Sequence, residues 1–445
     1  MWARVARALR RGLLLLPLAL TLLALLMLPR PPPVPPSPLL RHSSLPPPDL
    51  DEPQSQNEVL PEKDEQAKLE GDEVLQRPWF MRGGERRPLA NSVDANKLFP
   101  EDAQGEDRIV DQLMFTIPSD MPIKTILLAN GLSSWGVSGG RTEFVRNKCP
   151  VDRCILTADS REAGTADAIL FKDHHTPFNV KRPPNQLWIL YYLECPYHTA
   201  SLRPSSLDVF NWTATYRRDS DIVAPYERWV YHDAKITAKE LDRNYAANKT
   251  KKVAWFVSNC HARNRRLQYA RQLAKHISVD VYGACGSHHC PRTDPNCLEM
   301  LDKDYKFYLA FENSNCKDYI TEKFFVNGLQ HDVLPVVMGA RAEEYAAVAP
   351  HNSYVHVEEF ANAEELAAYL RRLDEDDTLY NSYFKWKGTG EFINTYFFCR
   401  LCAMVHANDQ RQRTAHYPDV QSWWRDGACT RNEWRAVAKD SKDNG

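Results

Sequence analysis

FENSNCKDYITEKFFVNGLQHDVLPVVMG, residues 311–339, is the stretch that decides the fold. The apolar run at 305–311 predicts a buried strand that ends as this stretch begins, and polar residues then lead to a predicted helix at 321–330. A second apolar run at 333–338 predicts the next strand. Strand, helix and strand in this order predict a β-α-β crossover, the unit from which parallel nucleotide-binding sheets are built.

Polar residues lie where the first strand of this unit ends and its helix begins. Ligands of open α/β sheets bind outside the carboxyl ends of the strands, where free N–H groups at helix amino termini attract anions. Lys323 adds a positive charge in the first turn, beside Glu322 and near Tyr319. These residues predict a site for a diphosphate. Taken by itself, a Thr-Glu-Lys sequence is also compatible with a solvated helix start.

Similar patterns recur on both sides of this unit and predict two α/β domains. In the second, residues 253–258 predict a strand, 262–276 an amphipathic helix and 278–282 the next strand. In the first, apolar runs of strand length lie at 125–130, 166–172 and 186–193. Residues 141–148 predict a short helix. The two domains are expected at 106–248 and 249–445.

Residues 1–105 differ from the rest in composition. Arginines at positions 4, 7, 10 and 11 precede residues 12–28, which carry no charge and as a helix would span about 25 Å. A cleaved signal peptide is the alternative, but prolines follow the apolar run where cleavage would need small residues. The arginines favour a cytosolic amino terminus. We therefore expect a type II membrane protein with a cytoplasmic tail at 1–11, a transmembrane signal anchor at 12–28 and a disordered, proline-rich and acidic stem at 29–105.

Composition limits the class of protein. The length of 445 residues leaves room for two or three domains, and 43% hydrophobic residues are enough for their cores. The net charge of -2 argues against a nucleic-acid-binding protein, which would carry an excess of basic residues. Eleven cysteines after a membrane anchor predict disulfides in an oxidising lumen, with at least one cysteine left free or bound to another chain. Asn211 and Asn248 begin sequons for N-glycosylation.

Two short patterns imitate metal sites. Asp219 and Asp221 form a D-x-D pattern of the kind that holds Mn²⁺ with a sugar nucleotide, but their position beside Tyr216-Arg-Arg favours a loop. His288 and His289 lie among cysteines, where zinc coordination is the alternative to the disulfides that an oxidising compartment favours. The cysteines concerned are Cys285, Cys290 and Cys297.

The pattern around the opening stretch resembles the donor motif of the α1,3-fucosyltransferases, glycosyltransferase family 10. The segments that carry the resemblance are Phe-Glu-Asn-Ser at 311–314, Asp-Tyr-Ile-Thr-Glu-Lys at 318–323 and Leu-Pro-Val-Val at 334–337. Earlier in the predicted lumenal part, Glu194-Cys-Pro with His198 is similar to a Glu-Ser-Pro-x-His segment of many animal members. The cysteine and the Lys172-Asp-His-His stretch depart from Lewis-type enzymes. Both departures fit better the branch that modifies the N-glycan core in invertebrates and plants.

The resemblance implies a fold and a compartment. The fold is GT-B, an α/β architecture in which two facing Rossmann-like domains enclose a cleft, and the enzyme is anchored in the Golgi membrane. Cys149 and Cys154 are implied to form disulfides with Cys399 and Cys402, which would tie the end of the chain to the first domain.

The resemblance also implies a reaction, the inverting transfer of L-fucose from GDP-fucose to the 3-hydroxyl of the asparagine-linked N-acetylglucosamine of N-glycans. A Lewis-type enzyme that acts on N-acetyllactosamine is the alternative within the class, and a catalytically idle lumenal lectin or scaffold is the alternative outside it. No metal is expected to be required, with non-essential stimulation by Mn²⁺ or Mg²⁺ left open.

Single residues acquire roles from the resemblance. Glu194, at the end of the predicted strand 186–193, corresponds to the catalytic base that would take the proton of the acceptor hydroxyl. Without the resemblance it would be a structural carboxylate. Arg266 and Lys323 correspond to the groups that neutralise the diphosphate. The residues expected to contact the donor are Asn313, Tyr319 and Glu322, with Tyr282 near the nucleotide.

Overall fold

The computed structural model describes residues 77–90, 92–101, 105–291, 294, 296–411 and 415–435. All of these belong to one structural unit, residues 62–445. The predicted tail, the predicted signal anchor and the first part of the predicted stem lie outside the described residues. Within the described ranges, no helix has the length and apolar character needed to cross a membrane.

Strands alternate with helices along the chain, as the sequence pattern predicts. The strands are β1 (Lys124–Leu128), β2 (Cys154–Thr157), β3 (Ala168–Lys172), β4 (Leu187–Tyr192), β5 (Trp212–Thr215), β6 (Arg228–Tyr231), β7 (Lys251–Phe256), β8 (Val279–Tyr282), β9 (Tyr305–Phe311), β10 (Asn315–Cys316), β11 (Leu334–Met338), β12 (Val355–His356), β13 (Gly390–Ile393) and β14 (Cys429–Thr430). The α-helices are α1 (Ile109–Leu113), α2 (Thr142–Arg146), α3 (Arg266–Leu273), α4 (Asn296–Lys303), α5 (Glu322–Phe324), α6 (Ala342–Val348), α7 (Ala363–Glu375), α8 (Asp377–Ser382), α9 (Phe397–Asn408) and α10 (Val420–Arg425).

Five parallel strands form the first sheet, in the order β2-β1-β3-β4-β5. Alternate side chains of a strand point to opposite faces, so Ile126 and Leu127 of β1 lie in different cores. Helix α9 covers the face of Ile126, where its Leu401 is fully buried. Trp424 of α10 lies in the core on the face of Leu127. The carboxyl-terminal part of the chain therefore completes both cores of the first sheet.

The second sheet also has five parallel strands, in the order β12-β11-β9-β7-β8. Its central strand β9 is buried at every position, as is typical of a parallel strand covered on both faces. Leu309 of β9 is aligned with Val336 of β11. The predicted strands of both domains are confirmed with small shifts at their ends. The strands that were not predicted are β2, β5, β6, β10, β12, β13 and β14.

Two predicted helices differ from the observed ones. The helix expected at 262–276 begins only at Arg266, because Arg265 has a left-handed conformation with φ of 59° and the Asn264 side chain donates to the Glu312 carbonyl at 2.9 Å. The helix expected at 321–330 is a single α-helical turn, α5, followed by the π-helical turn Phe325–Leu329.

The folded region begins earlier than the predicted end of the stem at residue 105. Trp79, Phe80, Leu98 and Phe99 are buried in the core of the first sheet. The Trp79 indole N–H also donates to the Leu113 carbonyl at 3.1 Å. Residues 77–90 and 92–101 therefore belong to the fold, because their aromatic side chains form part of the hydrophobic core of the first sheet.

Disulfides and two small antiparallel ribbons connect distant segments. The predicted pairing is confirmed, with Cys149 bound to Cys399 and Cys154 bound to Cys402. The cysteines around the two neighbouring histidines are also in disulfides, which excludes the alternative of zinc on those thiols. Strand β10 pairs with β14 and β6 pairs with β13. The further disulfides are Cys260–Cys285, Cys290–Cys297 and Cys316–Cys429.

The two predicted glycosylation sites differ in their surroundings. Asn248 lies exposed in a loop before β7. The Asn211 amide is engaged on both sides, since its oxygen accepts from the Trp188 amide at 2.9 Å and its nitrogen donates to the Ala415 carbonyl at 3.2 Å. A glycan on either residue stays a prediction; the half-buried Asn211 nitrogen has a partner inside the folded chain, whereas Asn248 is exposed.

Candidate active site

Glu194 lies just beyond the carboxyl end of β4, where the following Cys195 and Pro196 end the strand. Its Oε1 accepts a hydrogen bond of 2.6 Å from the Tyr319 hydroxyl and one of 3.0 Å from the Cys195 amide. The Asn313 amide nitrogen lies 3.5 Å from the same oxygen. Glu194, which follows β4 of the first sheet, thus contacts Asn313 and Tyr319, which follow β9 of the second sheet.

The charge of Glu194 is stabilised by these contacts. Burial alone would raise the pKa of this carboxyl, but the hydrogen bonds from Tyr319, the Cys195 amide and Asn313 outweigh burial and lower the pKa. The side chain is still 46% exposed. Glu194 is therefore an accessible, ionised carboxylate at neutral pH, and such a group can accept a proton.

Two tyrosines support this carboxylate. Burial, followed by the nearby Glu312 carboxylate, raises the pKa of Tyr319, so its hydroxyl remains a donor to Glu194. The Tyr226 hydroxyl donates to the Leu193 carbonyl at 2.9 Å, and its ring centre lies 6.4 Å from that of Tyr319. Tyr226 was given no site role from the sequence, although it lies in a segment that resembles the family.

Lys323 lies at the start of α5 between two carboxylates. Its Nζ is 3.0 Å from an oxygen of Glu312 and 3.1 Å from an oxygen of Glu322. Burial opposes the charge of Lys323, but the two carboxylates outweigh burial and raise the pKa of the amine. Glu312 is fully buried, and burial raises its pKa although it also accepts from the Thr321 amide at 2.8 Å. The lysine is therefore a fixed cation with its position set by Glu312.

Gly339 makes room for this ion pair. It follows β11 with φ of 154°, and a Cβ at this position would lie 2.7 Å from the Glu312 side chain. A larger residue would displace Glu312 and with it Lys323.

Arg266, in the first turn of α3, is 4% exposed. Its guanidinium donates to the Phe311 carbonyl at 2.6 Å and to the Asn259 carbonyl at 3.3 Å, while its Nε–H has no partner among the described residues. Burial lowers the pKa of the guanidinium, which remains protonated because the ordinary value is so high. Arg266 thus places a positive charge at the carboxyl end of β9, as the sequence predicts for an anion site.

Comparison with known proteins identifies the family. Residues 122–227 match the description "Fucosyltransferase, N-terminal", and residues 246–423 match "Glycosyltransferase family 10 (fucosyltransferase) C-term". The chain is 55% identical over 394 residues to Glycoprotein 3-alpha-L-fucosyltransferase A of Drosophila melanogaster, covering 83% of this chain and 78% of that protein. The chain belongs to the family 10 fucosyltransferases.

Two further proteins are similar to this fucosyltransferase. Alpha-(1,3)-fucosyltransferase 7 of Bos taurus is 37% identical, covering 69% of this chain and 88% of that protein. A crystal structure of an α1,3-fucosyltransferase with GDP-fucose superposes with a TM-score of 0.46 and 17% identity, over 70% of this chain and 97% of that chain.

The structure does not bring every predicted residue of this fucosyltransferase to one place. Glu194, Asn313 and Tyr319 are in contact, and Glu322 contacts Lys323. The Tyr282 hydroxyl instead bonds to the hydroxyl of Tyr305 at 2.7 Å, although Tyr282 itself ends β8 at the carboxyl edge of the second sheet, aligned with Phe256 of β7. Tyr282 is buried and contributes its ring to the core of the second sheet.

The D-x-D pattern holds the loop after β5 in place. Asp219 forms ion pairs with Arg217 at 2.6 Å and with Lys317 at 2.9 Å. Asp221 is buried, where it accepts from the Thr213 amide at 2.8 Å, and burial raises its pKa to about 6. Both carboxylates have structural partners, in agreement with the interpretation as a loop.

Tyr226 also lines a cavity of about 760 Å³. Residues far apart in the sequence line it, among them Glu227, Trp229, Trp386 and Phe392. The Glu227 carboxylate forms no hydrogen bond or ion pair with the described residues, and burial raises its pKa. The cavity therefore presents aromatic rings and an unpaired carboxyl group. Tyr226 connects it to the site, since its ring is next to that of Tyr319.

Proposed function

We propose that this fucosyltransferase transfers L-fucose from GDP-fucose in α1,3 linkage to the asparagine-linked N-acetylglucosamine of N-glycans. The observation that carries the reaction is the contact of the Glu194 carboxylate with Asn313 and Tyr319. The acceptor is inferred from the 55% identity to a protein named as a glycoprotein 3-alpha-L-fucosyltransferase.

Glu194 acts as the base of a single displacement. It takes the proton of the acceptor hydroxyl while that oxygen attacks the anomeric carbon of fucose and GDP leaves from the opposite side, which inverts the configuration. A positioned base of this kind contributes about 10² to 10⁴ to the rate. Its lowered pKa supports this role, since the carboxylate is ionised before the acceptor arrives.

Arg266 and Lys323 balance the charge that builds on the departing diphosphate. Support comes from the position of Arg266 at the end of β9 and from its unpaired Nε–H. Glu322 and Asn313 are proposed to bind hydroxyl groups of the donor. We expect the chemistry to need no metal, because these two cations would supply the positive charge.

The acceptor occupies the cavity beside Tyr226. A sugar places its apolar face on aromatic rings and its hydroxyls on charged groups, and Trp386, Phe392 and Glu227 are of these types. The acceptor hydroxyl would approach Glu194 past Tyr226.

The two sheets form the facing domains of a GT-B fold, with the carboxyl-terminal helices α9 and α10 returning to the first of them, in a Golgi protein anchored by residues 12–28. The uncharged run in the sequence and the disulfides among the described residues support this placement, since disulfides persist in oxidising compartments.

The test offers the full chain GDP-fucose together with an N-glycopeptide and N-acetyllactosamine, and the linkage of each product is determined. Fucose α1,3-linked to the innermost N-acetylglucosamine is the expected product. Transfer to lactosamine alone would establish a Lewis-type enzyme. Binding of GDP without transfer to either acceptor would indicate the lectin or scaffold.

A further inference from the structure

Three different metal-binding atoms meet in the turn after β4. The Cys195 sulfur lies 3.4 Å from Nδ1 of His198, and Oε1 of Glu194 lies 3.6 Å from the same nitrogen. All three atoms lie within 4.8 Å of one another. The turn itself brings them together, since the His198 amide donates to the Cys195 carbonyl at 2.9 Å and folds the imidazole back over the strand end.

Cys195 is a free thiol, whereas the other ten cysteines form the five disulfides. Its sulfur is buried and contacts the Ser314 hydroxyl at 3.2 Å. The side chains of Glu194 and His198 are 46% and 31% exposed. An ion can therefore reach the three atoms from the solvent side of the carboxylate and the imidazole.

The spacing fits tetrahedral zinc. Zinc bonds of about 2.3 Å to sulfur and about 2.0–2.2 Å to nitrogen and oxygen separate the ligand atoms by about 3.4–3.6 Å at tetrahedral angles. The separations of 3.4 Å and 3.6 Å from the imidazole nitrogen to the sulfur and to the carboxylate oxygen lie in this range. A thiolate with an imidazole and one carboxylate favours zinc over Mg²⁺ or Mn²⁺, which prefer oxygen ligands.

We propose that Glu194, Cys195 and His198 form a zinc-binding site and that zinc bound there stops fucose transfer. The thiol proton leaves to solvent as the sulfur binds the ion, and water occupies the fourth position. Inhibition follows because zinc on Oε1 draws negative charge from the whole carboxylate, so that its other oxygen becomes too weak a base to take the proton of the acceptor. The inhibition, but not the binding, rests on the proposed function.

The test compares the full chain with its Cys195→Ser and His198→Asn variants after removal of metal by a chelator. Initial rates of transfer are measured while Zn²⁺ is added, and His351→Asn, a change at an exposed histidine, is the matched control. We expect the zinc concentration for half inhibition to rise at least about 10-fold in both site variants, as loss of a ligand costs at least that much affinity. The control should behave as the wild type.

Binding is measured separately with Co²⁺ as the probe. The wild type should show the near-ultraviolet absorption of a cobalt–thiolate bond, and Cys195→Ser should lose it. Equal zinc inhibition of all four proteins, or no thiolate band in the wild type, would overturn the site. If the chain transfers no fucose at all, the proposed function fails while the cobalt spectrum still decides the site. Should Cys195→Ser not fold, the His198→Asn comparison decides.

Discussion

Replacement of Tyr319 by Phe should move the acidic limb of the pH profile upward. The Tyr319 hydroxyl donates to Glu194 at 2.6 Å, and this hydrogen bond to the charged carboxylate lowers its pKa. Tyr319→Phe removes the donor and leaves the ring packed against Tyr216, whose centre is 5.1 Å away. The pKa of Glu194 should therefore rise, and the base becomes protonated at a higher pH than in the wild type.

The size of the shift follows from the strength of the lost bond. A hydrogen bond to a charged group is worth about 1.5–3 kcal/mol, and about 1.36 kcal/mol corresponds to one pKa unit. Water replaces part of this loss, because the Glu194 side chain is 46% exposed, and the Cys195 amide continues to donate. We expect a shift of about 0.5–1 unit.

The assay is kcat/KM for the acceptor across the pH range in which carboxylates titrate. Tyr369→Phe is the matched control, since its hydroxyl bonds to the hydroxyl of Tyr383 at 2.6 Å instead of the carboxylate and its loss should leave the limb in place. A limb that stays fixed in Tyr319→Phe, or that moves to lower pH, would refute Glu194 as the titrating base.

Three further substitutions test the site. Glu194→Gln should lower kcat by about 10² to 10⁴ and keep the calorimetric affinity for GDP, and near-normal kcat would remove this residue from the mechanism. Lys323→Ala leaves the buried Glu312 without its cation, so we expect about 3 kcal/mol lower stability in urea unfolding and weaker binding of GDP; unchanged values of both would contradict the ion-pair role. Glu227→Gln should raise KM for the glycopeptide with KM for GDP-fucose unchanged, and an effect confined to GDP-fucose would place the acceptor elsewhere.

A long apolar run is the clearest signal of a strand in this sequence. Strand β9 is buried along its whole length, so its apolar run identifies it without other information. Strand β5 is also fully buried, but it contains Thr213 and Thr215, whose hydroxyl groups bond to Asp221 and Ser220. A threonine satisfied by a partner several residues away looks like a surface residue in the sequence, and for this reason β5 was missed.

The site shows the same limit. Glu194 was found by its resemblance to a known base, and physical reasoning from the sequence alone would have left it a structural carboxylate. Glu312 reads as part of a polar loop, and its importance depends on burial against Gly339 and on pairing with Lys323. The cavity beside Tyr226 has walls from segments far apart in the chain, so no local pattern indicates it.

The two oxygens of Glu194 have different tasks. Oε1 accepts from Tyr319 and the Cys195 amide and lies near Asn313, so it joins the first sheet to the segment after β9. Oε2 has no hydrogen bond to the described residues and is the oxygen left to take the proton of the acceptor. Glutamine preserves the first task, since its carbonyl oxygen can accept the same bonds, and it removes only the second. Alanine would remove both, so a loss of activity in Glu194→Ala could not distinguish a missing base from a displaced Tyr319.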